Sequence, residues 1–507
     1  MDEAVLKSKI TKLIFPVALL FPMALMTVNP VYDELWSLSN FAPLPLKQIL
    51  TDLSLPNNHP LNSFFLKVLS VFSLNTVFLR LPSLISAAFI PVLCGQLAYR
   101  WSRSNHLGAM VAAAVLAMLS VPLAVFGGLA RGYAMQLFFW LLCIWAMSTV
   151  RDDPKRAAIL TAIGGIGTIL SVPTGVLLLL PAGIGFLIFS GKKERCDHRM
   201  WIAAGVIALF GGIFYITNYS ALRAGQVWGM NIDNAGDFFR FLGITLTSLI
   251  VVPSLFAVFP ALYNFPQRFL GVALLCLPLL LAPLSNGGPA RTYLYLPVAV
   301  AVAGGIGLGE LTARCKERQW LFSGCVAVLL AVPGIFLQTG EWRVLDYTEI
   351  FEKHRQSLPA EILPVYRASS GYPITNALPE ALEEYNSQLL SAGFRKIAFF
   401  EAGQGQFNGL DENFSEAVID TSCHGSEAEY DGLKCVVYDL DRSDSVEAGK
   451  NYLLIFNPHN PLPENIPSAG KMLYLNIWFT RGVKMAVLHC EKTLPLPGWI
   501  KVYRIGE

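Results

Sequence analysis

A carboxylate pair, a histidine and a set of arginines are the residues of this chain whose types and spacing can do chemistry. Asp33-Glu34 follows the first long apolar run, and the polar stretch it opens closes on Asn57-Asn58-His59-Pro60. Arg80, Arg131 and Arg291 each stand at the start of a later apolar run, and Tyr133 and Tyr293 lie two residues beyond the second and third. A carboxylate that is ionised near neutral pH can take the proton of an attacking hydroxyl. Guanidinium groups stay charged and hold phosphate in a forked geometry. The combination points to transfer of a group from a phosphate leaving group to a hydroxyl. Each residue also has a plainer reading. Acidic pairs cap helices and face water, Arg80 caps its helix and meets lipid headgroups, and Tyr133 and Tyr293 belong to the interfacial aromatic belt. What favours chemistry is that all of them fall on one face of a membrane.

That membrane is read from composition. The chain has 507 residues, 54% hydrophobic and only 15% charged, with a mean hydropathy of +0.49, whereas soluble domains carry roughly 25% charge. The fold class this defines is a polytopic α-helical membrane protein. A net charge of +2 without any long run of Lys and Arg argues against a nucleic-acid partner. A span needs about 20 mainly apolar residues, a criterion that predicts about 11 spans. They lie near residues 10 to 28, 80 to 99, 107 to 127, 132 to 150, 157 to 171, 174 to 190, 200 to 219, 238 to 262, 267 to 284, 291 to 310 and 319 to 338. The fifth and sixth meet at Val172-Pro173-Thr174, which is either a tight turn between two spans or a kink in a re-entrant pair; two spans are expected.

Lys and Arg set the orientation. With the N-terminus inside, the inside segments hold Lys7, Lys9, Lys12, Arg100, Arg103, Arg151, Lys155, Arg156, Lys192, Lys193, Arg195, Arg199, Arg268, Arg314, Lys316 and Arg318, while the opposite loops are poor in both. Asp33, His59, Arg131 and Arg291 then share the outer face, and an odd number of spans puts the C-terminus there too. The first run, Ile10 to Val28, is longer than the apolar core of a secretory signal and ends at Asn29-Pro30, so it reads as a retained helix. Residues 60 to 77 form a second apolar run broken by Asn62, Lys67 and Asn75, which suits a helix lying in the interface.

From about Gly340 the apolar runs shrink to strand length: Lys396 to Glu401, Lys434 to Asp439, Tyr452 to Asn457, Met472 to Asn476, Met485 to His489 and Trp499 to Ile505, with a helical pattern at Leu378 to Ala392. The expected division is a membrane domain over 1–340, with its first outer loop at 29–79, and a soluble extracytoplasmic α/β domain over 341–507. Among the cysteines of that second domain a Cys423–Cys435 disulfide is open as a pairing. Cys423-His424 lacks metal-ligand spacing, and no metal site is expected there.

Taken in order, Asp-Glu after the first helix, His59-Pro60 near the end of the first outer loop, Arg80-Leu-Pro-Ser, Ala130-Arg-Gly-Tyr-Ala and Arg291-x-Tyr-Leu-x-Leu-Pro resemble the GT-C glycosyltransferases. The nearest branch is similar to bacterial relatives of protein O-mannosyltransferases and of the lipid A aminoarabinose transferase. The resemblance covers roughly residues 5 to 310. It departs where Pro60 is followed by Leu61 instead of a second proline and an aromatic residue. What it implies is inverting transfer of a sugar from a polyprenyl-phosphate carrier to an acceptor hydroxyl on a glycan, lipid or protein. Asp33 would be the general base and Glu34 its neighbour in positioning acceptor or sugar. Arg131 and Arg291 would hold the carrier phosphate, and His59 would line the same cleft. No cofactor is implied, since the lipid-linked sugar is itself a substrate, and the location implied is the bacterial inner membrane with an outward-facing site.

Two other classes fit part of the pattern. A transporter or flippase of lipid-linked sugars would also gather arginines near a phosphate, but alternating access places such groups near the bilayer midplane. A non-catalytic membrane binding protein would make the C-terminal domain the working part.

Overall fold

The computed structural model describes residues 3–26, 34, 37–42, 44–51, 53, 58–73, 76–103, 106–225, 232, 234–250, 252–260, 277–279, 290–313, 315 and 318–342, and beyond these six strands. The chain forms two compact units, one of Met1–Thr27, Trp36–Phe72 and Val77–Trp342, the other of Val28–Leu35, Ser73–Thr76 and Arg343–Glu507.

The first unit is a helical bundle. Its helices are α1 (Glu3–Met26), α2 (Leu46–Thr51), α3 (Pro60–Ser70), α4 (Thr76–Trp101), α5 (His106–Met118), α6 (Val121–Gly127), α7 (Gly132–Ser148), α8 (Pro154–Ser171), α9 (Val176–Phe189), α10 (Lys192–Arg195), α11 (His198–Thr217), α12 (Tyr219–Gly225), α13 (Ala235–Leu249), α14 (Val252–Phe256), α15 (Tyr295–Thr312) and α16 (Gln319–Trp342). Among the described residues four helices are long and apolar enough to cross a membrane, or five counting a bent pair as one span. Of the remaining expected spans, 10 to 28 falls on α1, 132 to 150 on α7, 157 to 171 on α8, 174 to 190 on α9 and 238 to 262 on α13 and α14, and residues 267 to 284 lie almost wholly outside the described residues.

Two of the expected spans are broken. The run 107 to 127 is α5 and α6, bent by 65°. Ser120 takes extended backbone angles as the N-cap of α6, and Pro122 occupies its first turn, a position where the missing N–H costs nothing. All seven residues of α6 are buried, so the bend turns the chain into the bundle. A non-spanning helix is tolerated at membrane depth where protein surrounds it. The run 238 to 262 is likewise two helices, α13 and α14, separated at Ile250–Val251.

The Pro173 junction is a reversal. The side chain of Arg151, just before α8, pairs with Glu194, just after α9, so α8 and α9 return to the same end of the bundle. Arg100 at the end of α4 donates to the Ser148 carbonyl at the end of α7 (2.8 Å) and pairs with Asp152 before α8 (2.7 Å). Tyr99 donates to Glu3 at the start of α1, and the Arg103 backbone N–H donates to Glu310 near the end of α15. These contacts gather one end of the bundle. The starts of α7 and α15 are therefore at the other.

The core between the ends is made of small residues that let helices approach. Gly305 of α15 lies against Ala109 and Ala113 of α5, and Gly164 of α8 against the backbone of Phe139 and Cys143 of α7. Within a bilayer such close packing, more than hydrophobic burial, drives helix association. Cys94 and Cys143 are buried free thiols.

In the second unit the described strands are β1 (Ile362–Arg367), β2 (Lys396–Glu401), β3 (Ser426–Tyr430), β4 (Leu433–Asp439), β5 (Leu473–Thr480) and β6 (Val483–Cys490). β1 to β4 form a mixed sheet in the order β1-β2-β4-β3, with β1 and β2 parallel and the others antiparallel; β5 and β6 form a separate hairpin. A parallel β1–β2 pair requires a crossover connection. The expected strands at 396 to 401, 434 to 439, 472 to 476 and 485 to 489 coincide with β2, β4, β5 and β6, whereas β1 and β3 were not expected. The runs 452 to 457 and 499 to 505 and the helical pattern 378 to 392 lie outside the described residues, as does Cys423.

Candidate functional site

The site is built around the link Gly128–Arg131 between α6 and α7, together with Gly132, the first residue of α7. The link is not helical and the first N–H groups of α7 have no intrahelical acceptor, so these backbone groups need partners from elsewhere. They come from two other elements. Asn62 of α3 donates to the Ala130 carbonyl (2.9 Å), Ser83 of α4 donates to the Arg131 carbonyl (2.9 Å), and the Gly132 N–H donates to Nδ1 of His59 (2.9 Å). All three side chains are buried. Arg131 itself is the N-cap of α7, with φ −131° and ψ 152°, and His59 is the N-cap of α3.

Held in this way, the Arg131 guanidinium is almost fully buried. Its Nη1 donates to the Ser37 hydroxyl (3.0 Å), Nη2 lies 3.3 Å from Nε2 of His59, and Cζ is 6.0 Å from the centre of the Tyr133 ring, a cation–π distance. The edge of the His59 ring meets Tyr133 at 4.8 Å, and Phe126 of α6 backs Tyr133 at 4.9 Å. Arg291, in the single 3₁₀ turn Ala290–Tyr293 before α15, donates from Nε to the Tyr133 hydroxyl (3.1 Å). Arg291 is half-buried, in contrast to Arg131. Burial, then the positive charges of Arg131 and Arg291, hold the His59 imidazole well below its ordinary range, so it is neutral at physiological pH.

Three helix starts, those of α3, α7 and α15, thus meet around two guanidinium groups. Helix N-termini carry partial positive charge and favour anions. The arrangement is chemically suited to an oxyanion: two permanent cations, a phenol whose oxygen already accepts from Arg291, and a neutral imidazole. Among the described residues no group of three His, Cys, Asp or Glu side chains could hold a metal ion.

The other expected site residues fall as follows. Arg80 is fully buried in α4, which corrects the reading that it meets lipid headgroups. A guanidinium so placed needs acceptors around it, because an unpaired charge there costs several kcal/mol. Tyr293 is buried in an aromatic chain, its ring 5.5 Å from Phe241 and 6.4 Å from Tyr295, which in turn meets Trp140 of α7 at 6.2 Å. Tyr293 therefore packs the base of α15 and is not an interfacial belt residue. Glu34 is buried and belongs to the second unit. Asp33 lies outside the described residues. Sequence reading gave no site role to Ser37 or Asn62, and held Ser83 and Gly132 only as members of the motifs around Arg80 and Arg131. A signal existed for Asn58, Asn62 and Ser63, which bring three polar side chains, now buried, to the start of an otherwise apolar helix.

The fold is a bundle of apolar helices with a cluster of two guanidinium groups at one end, and it is shared with a solved structure. Its likeness to a solved structure is to the apo ArnT of Cupriavidus metallidurans, with a TM-score of 0.52 at 10% identity, covering 87% of this chain and 99% of that one. The same ArnT bound to undecaprenyl phosphate gives 0.48 at 12% identity over 86% and 98%. The archaeal oligosaccharyltransferase AglB from Archaeoglobus fulgidus, in complex with an inhibitory peptide and a dolichol-phosphate, gives 0.43 at 12% over 78% and 70%. No family model matches the chain, and no curated protein matches it.

Proposed function

We propose that the protein is an inverting glycosyltransferase of the membrane, which moves a sugar from a polyprenyl-phosphate carrier to an acceptor hydroxyl on a glycan, lipid or protein at the extracytoplasmic face. The observation that carries this reading is the meeting of Arg131, Arg291, Tyr133 and the neutral His59 at one end of an apolar bundle. In the reaction the acceptor oxygen attacks the anomeric carbon, and the bond from that carbon to the phosphate oxygen breaks with its electron pair. The carrier phosphate gains one negative charge as it leaves. Two fixed guanidinium groups are placed to meet that charge where it develops, and preorganised donors of this kind lower barriers most when water is excluded. The proton of the attacking hydroxyl passes to Asp33, the base the sequence motif indicates, with Glu34 its neighbour in positioning acceptor or sugar. The polyprenyl chain occupies the apolar surface of the bundle, and the bacterial inner membrane is the expected location.

Mass spectrometry of lipids that copurify with the full chain tests this reading. A polyprenyl-phosphate sugar is expected with the wild-type protein and is expected to be depleted about tenfold or more by Arg291→Gln, as for loss of a charge-assisted hydrogen bond. Equal recovery from both proteins overturns the assignment of the phosphate to this cluster.

A further inference from the structure

We infer that His59 is a positioning residue for the carrier-phosphate site: its imidazole caps α7 from another helix and, with Asn62 of that same helix, fixes the backbone from which Arg131 projects. The inference rests on the proposed reading of the cluster as a phosphate site. It deepens that reading by giving the imidazole a partner in the protein's own backbone.

The imidazole is available because α3 has no need of it. His59 is the N-cap of α3 yet makes no side-chain cap bond there. Pro60 follows at the first helical position, where its missing N–H costs nothing, and the Ser63 N–H donates to the His59 carbonyl (2.8 Å). α7 has the opposite problem. Its N-cap is Arg131, which makes no side-chain cap bond, because a guanidinium has no lone pair with which to accept one. The Gly132 N–H, the first of α7, turns instead to Nδ1 of His59 at 2.9 Å. The acceptor that a serine or aspartate N-cap supplies from within the chain segment is here supplied by a second helix.

The bond fixes more than one N–H. A peptide unit is planar, so holding one of its groups restrains the whole unit. The unit before the Arg131 α-carbon is held by Asn62 through the Ala130 carbonyl (2.9 Å). The unit after it is held twice, by Ser83 through the Arg131 carbonyl (2.9 Å) and by His59 through the Gly132 N–H. With both units anchored, the Arg131 backbone is set at φ −131° and ψ 152°, and with it the direction in which the side chain leaves. Because the Gly132 N–H only donates, Nδ1 presents a lone pair, and the single proton of a neutral imidazole is on Nε2. The 3.3 Å approach of Nη2 of Arg131 to Nε2 is then a contact of two N–H groups, so His59 acts on the arginine through the backbone. A Cβ on Gly132 would overlap the Ser171 carbonyl oxygen and crowd the ring, and Tyr133 meets the ring edge at 4.8 Å. Burial, then the charges of Arg131 and Arg291, keep the imidazole neutral, the state in which Nδ1 can accept.

The test is rescue by a carbonyl. The full chain is purified in detergent, and binding of geranylgeranyl phosphate is measured by equilibrium dialysis for the wild type, His59→Asn, His59→Leu and Arg291→Gln, with thermal unfolding of each without ligand. Asparagine brings a carbonyl oxygen to the place of Nδ1 and can accept from Gly132, whereas leucine fills space and accepts nothing. The expected affinity is within about twofold of the wild type for His59→Asn and lowered about tenfold for His59→Leu, the scale of one lost hydrogen bond. A role in packing alone would rank the two the other way, since leucine loses nothing on burial and asparagine does. Nitrogen NMR of the histidine-labelled wild type without ligand is expected to show one resonance pair, absent from His59→Asn, with Nδ1 unprotonated and Nε2 protonated. The opposite tautomer overturns the cap, and this arm stands even where His59→Leu does not fold. Affinity in His59→Asn as low as in His59→Leu, or wild-type affinity in His59→Leu, overturns the positioning role, while weakened binding in Arg291→Gln leaves the phosphate site standing. No binding to the wild type, or equal binding by all four proteins, overturns both.

Discussion

At the scale of single residues, Gly132 shows how little space separates a workable site from none. Its α-carbon sits where α7 begins, the end of α8 passes, and His59 docks. Gly132→Ala forces a backbone carbonyl and a ring apart at once. Overpacking of this kind costs about 1–3 kcal/mol and shifts whatever is least anchored, here the imidazole. The expected outcome is a lowered unfolding temperature and loss of carrier-phosphate binding, measured in detergent. The control is Gly183→Ala, where a Cβ would meet nothing within 4 Å, and that variant is expected to unfold with the wild type. The reactive types Arg131, Arg291, His59 and Tyr133 were legible in the sequence because charge and imidazole are rare inside apolar runs. The roles of Ser37, Asn62, Ser83 and Gly132 were not, because one hydroxyl, amide or glycine in a membrane helix has many ordinary uses, and only three-dimensional proximity shows that they gather around Arg131 and its chain neighbours.

At the scale of elements, the link between α6 and α7 is positioned from outside by α3 and α4. α3 lies along one side with buried Asn62 and Ser63 inward and exposed Phe64, Val68 and Phe72 outward or just beyond its end. It is the amphipathic helix within the run 60 to 77 for which an interfacial position is expected. Its inward face is tied down twice more: Ser63 donates to Asn58, and Asn58 donates to the Ile49 carbonyl of α2. Asn62→Leu is nearly equal in volume and removes the donor to the Ala130 carbonyl. It is expected to lower stability by about 0.5–1.5 kcal/mol, read as a shift in the denaturation midpoint, and to weaken carrier-phosphate binding more than Ser70→Ala, a change on the same helix away from the link. The bend between α5 and α6 was the part of this arrangement that hydropathy hid. Residues 107 to 127 are apolar throughout, so the run reads as one span, and the only local marks of the break are Ser120 and Pro122. The reversal at Val172-Pro173-Thr174 was legible in kind, and the Arg151–Glu194 pair settles that the two helices return to one end.

At the scale of the whole molecule, the chain separates its charges by end. Arg100, Asp152, Arg151, Glu194, Glu3 and Glu310 pair or bond near one end of the bundle, while Arg131 and Arg291 stand at the other. This polarity was readable from the sequence, because Lys and Arg stay with the cytoplasmic leaflet during insertion and their excess marks it. Inside the bundle the pattern carries a second consequence. The charges at that first end reach water and are screened by it, so individual pairs contribute little, whereas the buried Arg131 and the half-buried Arg291 are held by surrounding structure. Cys196 makes the orientation testable with the native chain. It is a free, exposed thiol directly after Lys192–Arg195, between α9 and α11. A membrane-impermeant maleimide is expected to leave Cys196 unmodified in intact spheroplasts and to modify it in inverted vesicles, as read by mass spectrometry of its peptide. The reverse labelling would turn the molecule over and put Arg131 and Arg291 on the cytoplasmic side, where a donor would be met before its carrier crosses the bilayer. The chemistry at the cluster would keep the same groups, but the acceptor would have to be a cytoplasmic one.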